Sequence, residues 1–572
     1  MSKELLAQHI HEVLENLGVP GVDFVLEHPA EMSHGDFATN AAMVAAKKIG
    51  KKPHELAQII VGELVKRSIA DITDISIAGP GFINFKLADG YFTKALGDAI
   101  ALDENYGKNE TLKGKKVVVE YTDPNPFKEF HIGHLMSNTI GESISRIVEA
   151  SGAETKRACY QGDTGMHAAA ALWGMLQEDL PAPDASITIR AQFLGRAYAR
   201  GATSAKNDMV VHDAIIVLNK KIHERSDPKI NELYDLGKAW SLEYFETIYK
   251  RLGTAHGADG KAFDYYFFES VTGQFGKTLV CENMGKVFED SNGAIIFKGE
   301  ESMGLHTRVF VNKEGLPTYE AKELGLAKIK YDTYPYDVSI VVTANEINDY
   351  FKVLLEVLRR IFPELAAKTV HIAHGMLRLP SGKMSSRTGE VITAESLLDD
   401  VKVHVMKKVA DMPVLPSEKD VIAESVAVGA IKYSILRQSS GKDIIFDFDQ
   451  SLSFEGDSGP YLQYTHARTC SLLEKAHGRA IDPRGEHHGT RSLHKFIVRF
   501  PEVVLRANKE HEPHYITTYL IELAREFNAF YANTIVLDGA PDEPYKLALV
   551  KAVSLTMKNG LQLLGMPTPS KM

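Results

Sequence analysis

The sequence predicts an α/β fold, with a parallel-sheet domain placed between an N-terminal α+β domain and an all-helical C-terminal domain. A short β-branched strand at residues 117–121 runs through a proline-rich loop into a helical pattern that begins near residue 131. A second strand follows at 339–343, and the pattern is almost wholly helical from about residue 455. A strand, a loop and a helix in this order open the Rossmann-like domains that bind mononucleotides.

The predicted domains follow one another along the chain. Helical patterns near the N-terminus precede the alternating residues 75–78, which predict a strand in a small α+β domain. The charged and helical stretch at about 180–265 is interpreted as an insertion into the parallel-sheet domain. The predicted boundaries are 1–110 for the α+β domain, 111–400 for the parallel-sheet domain, 401–455 for a connecting segment and 456–572 for the helical domain.

Length and composition indicate a globular protein of several domains. At about 150 residues per domain, 572 residues predict three or four domains. The contents of 44% apolar and 24% charged residues argue against disordered and collagenous chains. No uncharged apolar run reaches about 18 residues and the first residues have no apolar signal core, so we expect no membrane span. The three scattered cysteines exclude a disulfide framework and fit a cytoplasmic protein.

The charge balance limits how the protein can bind nucleic acid. The chain has 65 Lys and Arg against 75 Asp and Glu, a net charge of −10. A surface this acidic is not uniformly basic, so any nucleic acid must be held by local basic patches.

The first motif with chemical meaning is His131-Ile-Gly133-His134, which follows the first strand. Two imidazoles three residues apart share one helix face, and the helix N-terminus favours a phosphate. Gly133 would allow a flat group such as a purine to approach the backbone. The alternatives are two ordinary helix histidines or half of a metal site, but no acidic residue stands at the His-Glu-x-x-His spacing.

The second motif is a glycine-flanked loop with the sequence Lys383-Met384-Ser385-Ser386-Arg387. A mobile loop with a lysine can close over a polyphosphate and neutralise the charge that develops during phosphoryl displacement. Taken alone, the motif is more simply interpreted as a solvated basic loop.

The pair of motifs resembles the two signatures of class I aminoacyl-tRNA synthetases. Residues 121–135, in which Pro-Asn and a lysine precede the histidines, resemble the arginyl-tRNA synthetase version. Three further stretches are similar to the same family, at 35–40, 459–468 and 558–565, and the chain ends with Met572. The resemblance therefore extends over the whole chain.

The resemblance implies ligation of L-arginine to tRNA(Arg) through arginyl-adenylate, with ATP consumed and AMP and pyrophosphate released. Mg²⁺ is expected to arrive with ATP, without a metal site of the protein's own. The second lysine of the family's mobile loop is replaced by Ser386 or Arg387, depending on the alignment, and the lysine upstream of the histidines is thought to substitute for it. The catalytic residues implied are Lys128, His131, His134 and Lys383. The ATP-binding residues implied are His131, Gly133, His134, Lys383, Met384 and Ser385.

Arginine recognition is expected to need carboxylates and a hydroxyl or aromatic group, because a guanidinium is a planar fork of donors. Tyr319 and Glu323 lie four residues apart, on one helix face; the family more usually has Asp at the second position. Without the resemblance, an ordinary exposed helix turn would be preferred. Asn345 and Glu346 both stand near the family's glutamine, and the assignment stays open. The arginine-binding residues implied are Glu120, Asn125, His131, Glu269, Tyr319 and Glu323.

The resemblance also implies contacts with tRNA at both ends of the chain. Phe82 and Asn84 resemble positions of the family's N-terminal domain that meet the tRNA elbow, where a base can stack on an aromatic ring. Core packing is the alternative for every aromatic residue in this set. The candidates for anticodon contacts are Tyr461, Tyr515, Asn528 and Tyr531.

Two other functions are alternatives to an arginine ligase. A lysyl or glutamyl class I enzyme is the first, but a glutamate substrate would need a basic group where Tyr319 and Glu323 stand. A non-catalytic RNA-binding paralogue is the second, and it would be expected to lose the signature residues that this chain retains. We expect arginine, ATP and tRNA(Arg) as partners, no membrane association, and a monomer.

Overall fold

The computed structural model describes the chain except for residues 1–2, 30, 32–33, 256, 258, 379–391, 411, 414 and 485–490. Among the helices of this described part, none has the length and apolar character needed to cross a membrane. The chain forms two compact units. The first contains Met1–Tyr106, Thr469–Pro501 and Glu522–Met557, and the second contains Gly107–Arg468, Glu502–Ile521 and Lys558–Met572.

The N-terminal part of the first unit is an antiparallel sheet with helices. Its elements are α1 (Lys3–Asn16), β1 (Leu26–Glu27), β2 (Phe37–Thr39), α2 (Ala41–Ile49), α3 (Pro53–Lys66), β3 (Ile72–Ala78), β4 (Phe82–Leu87) and α4 (Asp89–Leu102). The strand order is β1-β2-β4-β3. Proline at the first position of α3 needs no backbone hydrogen bond there, which favours a helix start. Ile83 and Phe85 of β4 are fully buried and belong to the apolar core between the sheet and the helices.

The second unit is built on a parallel sheet. Its elements are β5 (Lys116–Glu120), α5 (Ile132–Ala150), β6 (Glu154–Gln161), α6 (Met166–Met175), α7 (Ile187–Asn207), α8 (Met209–Glu224), α9 (Pro228–Leu252), β7 (Tyr265–Phe268), α10 (Glu269–Glu282), β8 (Glu289–Ser291), β9 (Ala294–Phe297), β10 (Arg308–Val311), α11 (Tyr319–Thr333), β11 (Val338–Ala344), α12 (Asn348–Ile361), α13 (Pro363–Lys368) and β12 (Thr369–His374). The order β12-β11-β5-β6-β7, with every neighbouring pair parallel, confirms the predicted α/β fold class.

Two insertions interrupt the succession of strands in this sheet, one between β6 and β7 and one between β7 and β11. Helices α7, α8 and α9 separate β6 from β7 and pack with α6 around buried residues that include Phe193 and Trp240. Strands β8, β9 and β10 form a small antiparallel sheet that the sequence analysis did not predict. In parallel sheets of this class, ligands bind outside the carboxyl ends of the strands.

The remaining elements are mainly helical. They are β13 (Leu377–Arg378), α14 (Ala394–Lys408), α15 (Pro416–Leu436), β14 (Ile444–Ile445), α16 (Phe448–Ser451), α17 (Gly459–Lys475), α18 (Arg491–Glu510), α19 (His514–Asn533) and α20 (Glu543–Leu563). The helical pattern expected from about residue 455 is therefore present.

The end of α20 is held by side chains of the second unit. The hydroxyl of Ser143 on α5 donates to the carbonyl of Leu563 at 3.0 Å, and Arg146 Nη1 donates to that of Gln562 at 3.2 Å. The buried Lys432 on α15 donates to the carbonyl of Gly565 at 2.7 Å. The last carbonyls of a helix have no partner within the helix, and Ser143 and Arg146 supply donors to two of them; the Gln562 carbonyl also accepts the N–H of Gly565 at 3.0 Å, and Gly565 lies two residues beyond the helix.

Candidate active site

The loop between β5 and α5 has an unusual backbone. Thr122, Asp123 and Phe127 have φ angles of 79°, 46° and 69°. A positive φ is rare for a β-branched residue such as Thr122, and strain of this kind concentrates at functional sites. Neighbouring hydroxyls hold the loop: Ser137 Oγ accepts from the Thr122 N–H and Ser241 Oγ from the Phe127 N–H, both at 2.9 Å.

The two histidines of the first motif lie at the N-terminus of α5. His131 Nδ1 accepts the N–H of Gly133 at 3.1 Å, and His134 Nδ1 accepts the N–H of His131 at 3.3 Å. The rings stack with their centroids 3.6 Å apart. Because each Nδ1 accepts a hydrogen bond, each neutral ring carries its proton on Nε2.

Both histidines are neutral near pH 7. Burial, together with the positive charge of Lys128, lowers the pKa of His131 to about 4. Burial, with smaller contributions from the adjacent His131 ring when protonated and from Lys128, holds the pKa of His134 well below its ordinary value. The pair therefore offers two hydrogen-bond donors and no net charge.

Gly133 is required by the shape of this turn. A Cβ at position 133 would stand 2.9 Å from Cε1 of the His131 ring. That contact is too close for the ring to keep its place, so glycine allows His131 to fold over the start of the helix. This reason is independent of the purine approach expected from the sequence.

Of the two lysines predicted to bind phosphate, Lys128 lies among the residues that the structure describes. Its Nζ lies 5.1 Å from the centroid of the Tyr198 ring on α7. A cavity of about 580 Å³ is lined by Lys128, Tyr198, Tyr319 and Lys322 among others, a size suited to small ligands. The predicted residues of the second motif, which lie outside the described residues, are Lys383, Met384, Ser385, Ser386 and Arg387.

Four carboxylates and two lysines lie near the carboxyl ends of β5 and β7. Glu120 is 1% exposed and accepts from Lys330 Nζ at 2.6 Å. Glu269 is 5% exposed and accepts from Lys322 Nζ, also at 2.6 Å. Burial nevertheless raises the pKa of Glu269 despite its lysine partner. Each of these two carboxylates thus has its own buried cation.

The other two carboxylates are Asp123 and Glu323. Among the described residues, no Lys or Arg forms an ion pair with either side chain. Burial and the charge of Glu120 raise the pKa of Glu323 well above its ordinary value, and Asp123 and Glu269 add to the repulsion. Burial and Glu120 have the same effect on the pKa of Asp123. The site therefore has two carboxylates without an ion-pair partner among the described residues; Asp123 accepts the N–H of Tyr160 at 2.7 Å, and the charge of Lys330 offsets only part of the repulsion on both.

Gly162, which follows β6, is the point where two predicted arginine-binding residues converge. A Cβ at this position would lie 2.2 Å from Asn125 Oδ1 and 3.2 Å from Glu269 Oε1. The sequence analysis missed this residue. The available signal was a glycine directly after a buried strand, which indicates close approach of another group to the backbone.

Asp163 fixes the start of α10, the helix that begins with Glu269. Its buried carboxylate accepts from the hydroxyl of Tyr234 and from Lys238 Nζ, both at 2.7 Å. It also accepts from the backbone N–H of Ser270 at 2.9 Å and from the Ser270 hydroxyl at 2.7 Å. The insertion helix α9 is thereby tied to the residue that follows Glu269.

The remaining predicted arginine-site residues are more exposed. Tyr319 is 63% exposed, and its ring centroid lies 5.3 Å from Lys322 Nζ. After β11, Asn345 is half-buried and Glu346 is exposed, both in the short turn Asn345–Ile347. The position that corresponds to the family's glutamine stays open between them.

The predicted RNA-contacting residues differ in exposure. Phe82 is 38% exposed at the start of β4, whereas Asn84 is 6% exposed between Ala38 of β2 and Ser76 of β3. In the helical region, Tyr515 donates to Glu510 and lies under Arg506 at 3.9 Å. Of the other three candidates, Tyr461 and Asn528 are half-buried and Tyr531 is 38% exposed.

Comparisons with known proteins agree on one family. The model described as "tRNA synthetases class I (R), catalytic domain" matches residues 96–448. The "Arginyl tRNA synthetase N terminal domain" matches 3–87, and the "DALR anticodon binding domain" matches 462–572.

Similar proteins cover the whole chain. The arginine–tRNA ligase of Treponema pallidum is 31% identical and aligns over 96% of this chain and 95% of its own length. That of Oenococcus oeni is 29% identical and aligns over 99% of both chains. The solved structure of Thermus thermophilus arginyl-tRNA synthetase covers 100% of both chains with a TM-score of 0.78 and 25% identity.

Proposed function

This chain belongs to the arginyl-tRNA synthetase family, and from that premise we propose how its own residues carry out the reaction. The protein ligates L-arginine to tRNA in two steps that consume ATP. The arginine carboxylate attacks the α-phosphate, arginyl-adenylate and pyrophosphate form, and the arginyl group then moves to the tRNA with release of AMP. No protein nucleophile takes part, because catalysis rests on placement and electrostatics.

His131 and His134 stabilise the α-phosphate during the first step. Their Nδ1 atoms are occupied by backbone N–H groups, so their Nε2–H groups are the donors available to phosphate oxygens. Neutral rings bring no charge, so the charge of the triphosphate is countered by Lys128 and Lys383. Gly133, Met384 and Ser385 complete the proposed ATP site.

The choice of arginine as substrate rests on one observation: the site contains more carboxylates than lysines. Two of the four carboxylates are paired internally, which leaves Asp123 and Glu323 for a ligand. Arginine brings two positive groups, a guanidinium and an α-ammonium, and its carboxylate is directed to ATP. We assign Glu323 and Tyr319 to the guanidinium. A glutamate substrate would add a further negative charge to a site that already repels its own carboxylates.

The other end of arginine meets residues around the β5–α5 loop. Glu120, Asn125 and His131 are proposed to contact its α-amino and carboxylate groups, and Glu269 approaches the same place beside Gly162. Asp123 joins this set as a carboxylate that the sequence analysis did not name. A lysine ammonium cannot take the place of the planar guanidinium fork and would leave a carboxylate of the site unpaired. An unpaired buried carboxylate is costly, so lysine is rejected as a substrate.

ATP enters with Mg²⁺ bound to its phosphates. Among the described residues, no group of three His, Cys, Asp or Glu side chains could hold a metal ion. Magnesium commonly keeps several waters and is bound through substrate phosphates, so a dedicated site is not required. Magnesium bound in this way would shield triphosphate charge beside Lys128 and Lys383.

Transfer RNA is proposed to contact both ends of the chain. Phe82 offers an exposed ring for the tRNA elbow and is the better candidate of the N-terminal pair, since Asn84 lies within the sheet. The anticodon is assigned to the helical region that includes Tyr461, Tyr515, Asn528 and Tyr531. A cytoplasmic location and a monomeric state are also proposed, and light scattering of the purified protein tests the second.

Charging of total tRNA with each labelled amino acid in turn tests the function. Arginine should be the only amino acid attached, and the attachment should require ATP. Charging with lysine or glutamate would refute the arginine site, and a protein that binds tRNA without charging it would be a non-catalytic paralogue. Glu323→Gln, which keeps the size of the side chain, serves as a variant in which arginine recognition alone is weakened.

A further inference from the structure

Asp36 belongs to the stretch 35–40 that resembles the family, and no step of the reaction uses it. Its carboxylate is 2% exposed, and Oδ2 accepts the N–H of Leu87, at the end of β4, at 2.7 Å. The same oxygen accepts from Arg491 Nη2 at 2.9 Å, and Oδ1 lies 3.0 Å from Lys495 Nζ. Burial by itself would raise the pKa of Asp36, but these partners hold it below its ordinary value.

The two cations come from a distant part of the chain. Arg491 and Lys495 are four residues apart on α18 and therefore share one face of that helix. Lys495 Nζ also donates to the carbonyl of Gly35 at 2.8 Å. Arg491 donates to the carbonyl of Leu87 at 2.7 Å and to Asp89 at 2.6 Å. Every member of this group lies in the first unit.

Gly35 makes this arrangement possible. Its φ is +106°, and a Cβ there would lie 2.7 Å from the carbonyl oxygen of Phe85 on β4. Only glycine allows the chain to pass so close to the strand and to turn the next side chain inward. The Gly-Asp pair is thus explained by a contact with α18 as much as by the local turn.

Aromatic and backbone contacts extend the same surface of α18. The guanidinium of Arg491 lies 4.8 Å from the centroid of the Phe92 ring, which meets His494 edge-on at 6.0 Å. Further along, the hydroxyl of Tyr106 donates to the carbonyl of Ile497 at 2.6 Å. The buried ion pairs therefore lie at one end of a continuous contact.

We infer that Asp36 is a positioning residue that fixes the N-terminal sheet against α18, so that two tRNA-contacting parts of the first unit, Phe82 on β4 and Asn528 with Tyr531 on α19, keep a fixed spacing. Strand β4 is held at Leu87 and begins with the exposed Phe82, while α18 directly precedes α19, the helix that contains Asn528 and Tyr531. An RNA that must reach both parts binds more tightly when their spacing is set beforehand, because less ordering is required on binding. This inference rests on the proposed contacts of tRNA with both parts.

The test compares Asp36→Asn with the wild-type enzyme in arginine charging and in arginine binding. Asparagine keeps the shape and can still accept from Leu87, but it removes the charge that attracts Arg491 and Lys495. The KM for tRNA should rise about tenfold or more, while the dissociation constant for arginine without tRNA changes less than twofold. Asp74→Asn, on the exposed face of β3, is the matched control and should leave both quantities unchanged.

Hydrogen exchange separates positioning from simple unfolding. Faster exchange limited to residues near 85–92 and 491–497 supports the inference when the tRNA KM also rises. An unchanged tRNA KM overturns it. If Asp36→Asn unfolds the whole N-terminal sheet, the double variant Arg491→Met and Lys495→Met decides, because it alters only α18: a normal tRNA KM in that variant also overturns the inference.

Failure of the inference about Asp36 can be distinguished from failure of the proposed function. Wild-type enzyme that does not charge tRNA with arginine refutes the function itself, whatever Asp36 does. If the wild-type enzyme charges tRNA with arginine and Asp36→Asn leaves the affinity for tRNA intact, only the positioning role of Asp36 is refuted.

Discussion

Replacement of Gly162 by alanine probes the arginine site through one added carbon atom. The new Cβ would lie 2.2 Å from Asn125 Oδ1, whereas unbonded carbon and oxygen atoms stay about 3.3 Å apart. The amide of Asn125 must then retreat by about 1 Å, and Glu269 must also shift slightly. Misplacement of a substrate-positioning group by about 1 Å costs about 100-fold in rate. We therefore expect kcat/KM for arginine to fall about 100-fold in steady-state charging assays.

The fold should survive this substitution, because Asn125 is only half-buried and its side chain can move without displacing the apolar core. Circular dichroism and a thermal melt should resemble those of the wild type. Gly62→Ala is the matched control: position 62 lies within α3 with nothing within 4 Å of the added Cβ, so activity should not change. A Gly162→Ala enzyme with nearly normal kcat/KM for arginine would show that Asn125 and Glu269 do not act at this point.

Four further predictions concern charge. The raised pKa values of Asp123 and Glu323 keep these groups protonated to higher pH, whereas arginine needs them ionised. Arginine should therefore bind more weakly as pH falls, with up to about a tenfold change in affinity per pH unit for each group. Calorimetry in two buffers should detect proton release on binding, and a pH-independent affinity would contradict this prediction. Glu323→Gln should raise the KM for arginine far more than that for ATP; an equal effect on both would place the guanidinium elsewhere. Lys128→Ala should lower the arginylation rate by about 100-fold, and near-normal turnover would show that Lys383 suffices. Affinity for tRNA should fall steadily with added salt, and a flat salt profile would exclude phosphate contacts.

The sequence predicted the parts of the molecule that local pattern encodes. A β-branched run followed by Pro-Asn-Pro and a helix identified β5, the loop and α5. The same region contains Lys128, His131 and His134, so these candidates could be named before the structure was known. The parallel class of the sheet was predicted, whereas its strand order and the strands β6, β7 and β12 were not.

Long-range pairings could not be predicted from local pattern. Asp36 and Arg491 are separated by 455 positions, and no periodicity connects them. Lys322 and Lys330 look like ordinary charges of an exposed helix in the sequence, yet both are about 5% exposed and neutralise carboxylates. The surplus of two carboxylates became visible only when these partners were known.

The sequence also could not predict how far solvent reaches neighbouring residues of one strand. Phe82 and Asn84 are two apart and share a face of β4, which led to equal expectations for both. Asn84 has a neighbouring strand on each side, whereas Phe82 pairs only with Ala78 of β3. Position along the strand, and not alternation, decides which of them solvent reaches.

The capped end of α20 has a consequence for synthesis on the ribosome. Lys432 is made more than a hundred residues before Gly565, whose carbonyl accepts its hydrogen bond. Burial lowers the pKa of Lys432 to about 7, so its ammonium is poorly accommodated unless that carbonyl is present. Residues 107–468 of the second unit therefore emerge before the segment that completes them. A nascent chain released early, after residue 468, would lack residues 562–565, which accept hydrogen bonds from α5 and α15, and such fragments should be recognised by chaperones and proteases.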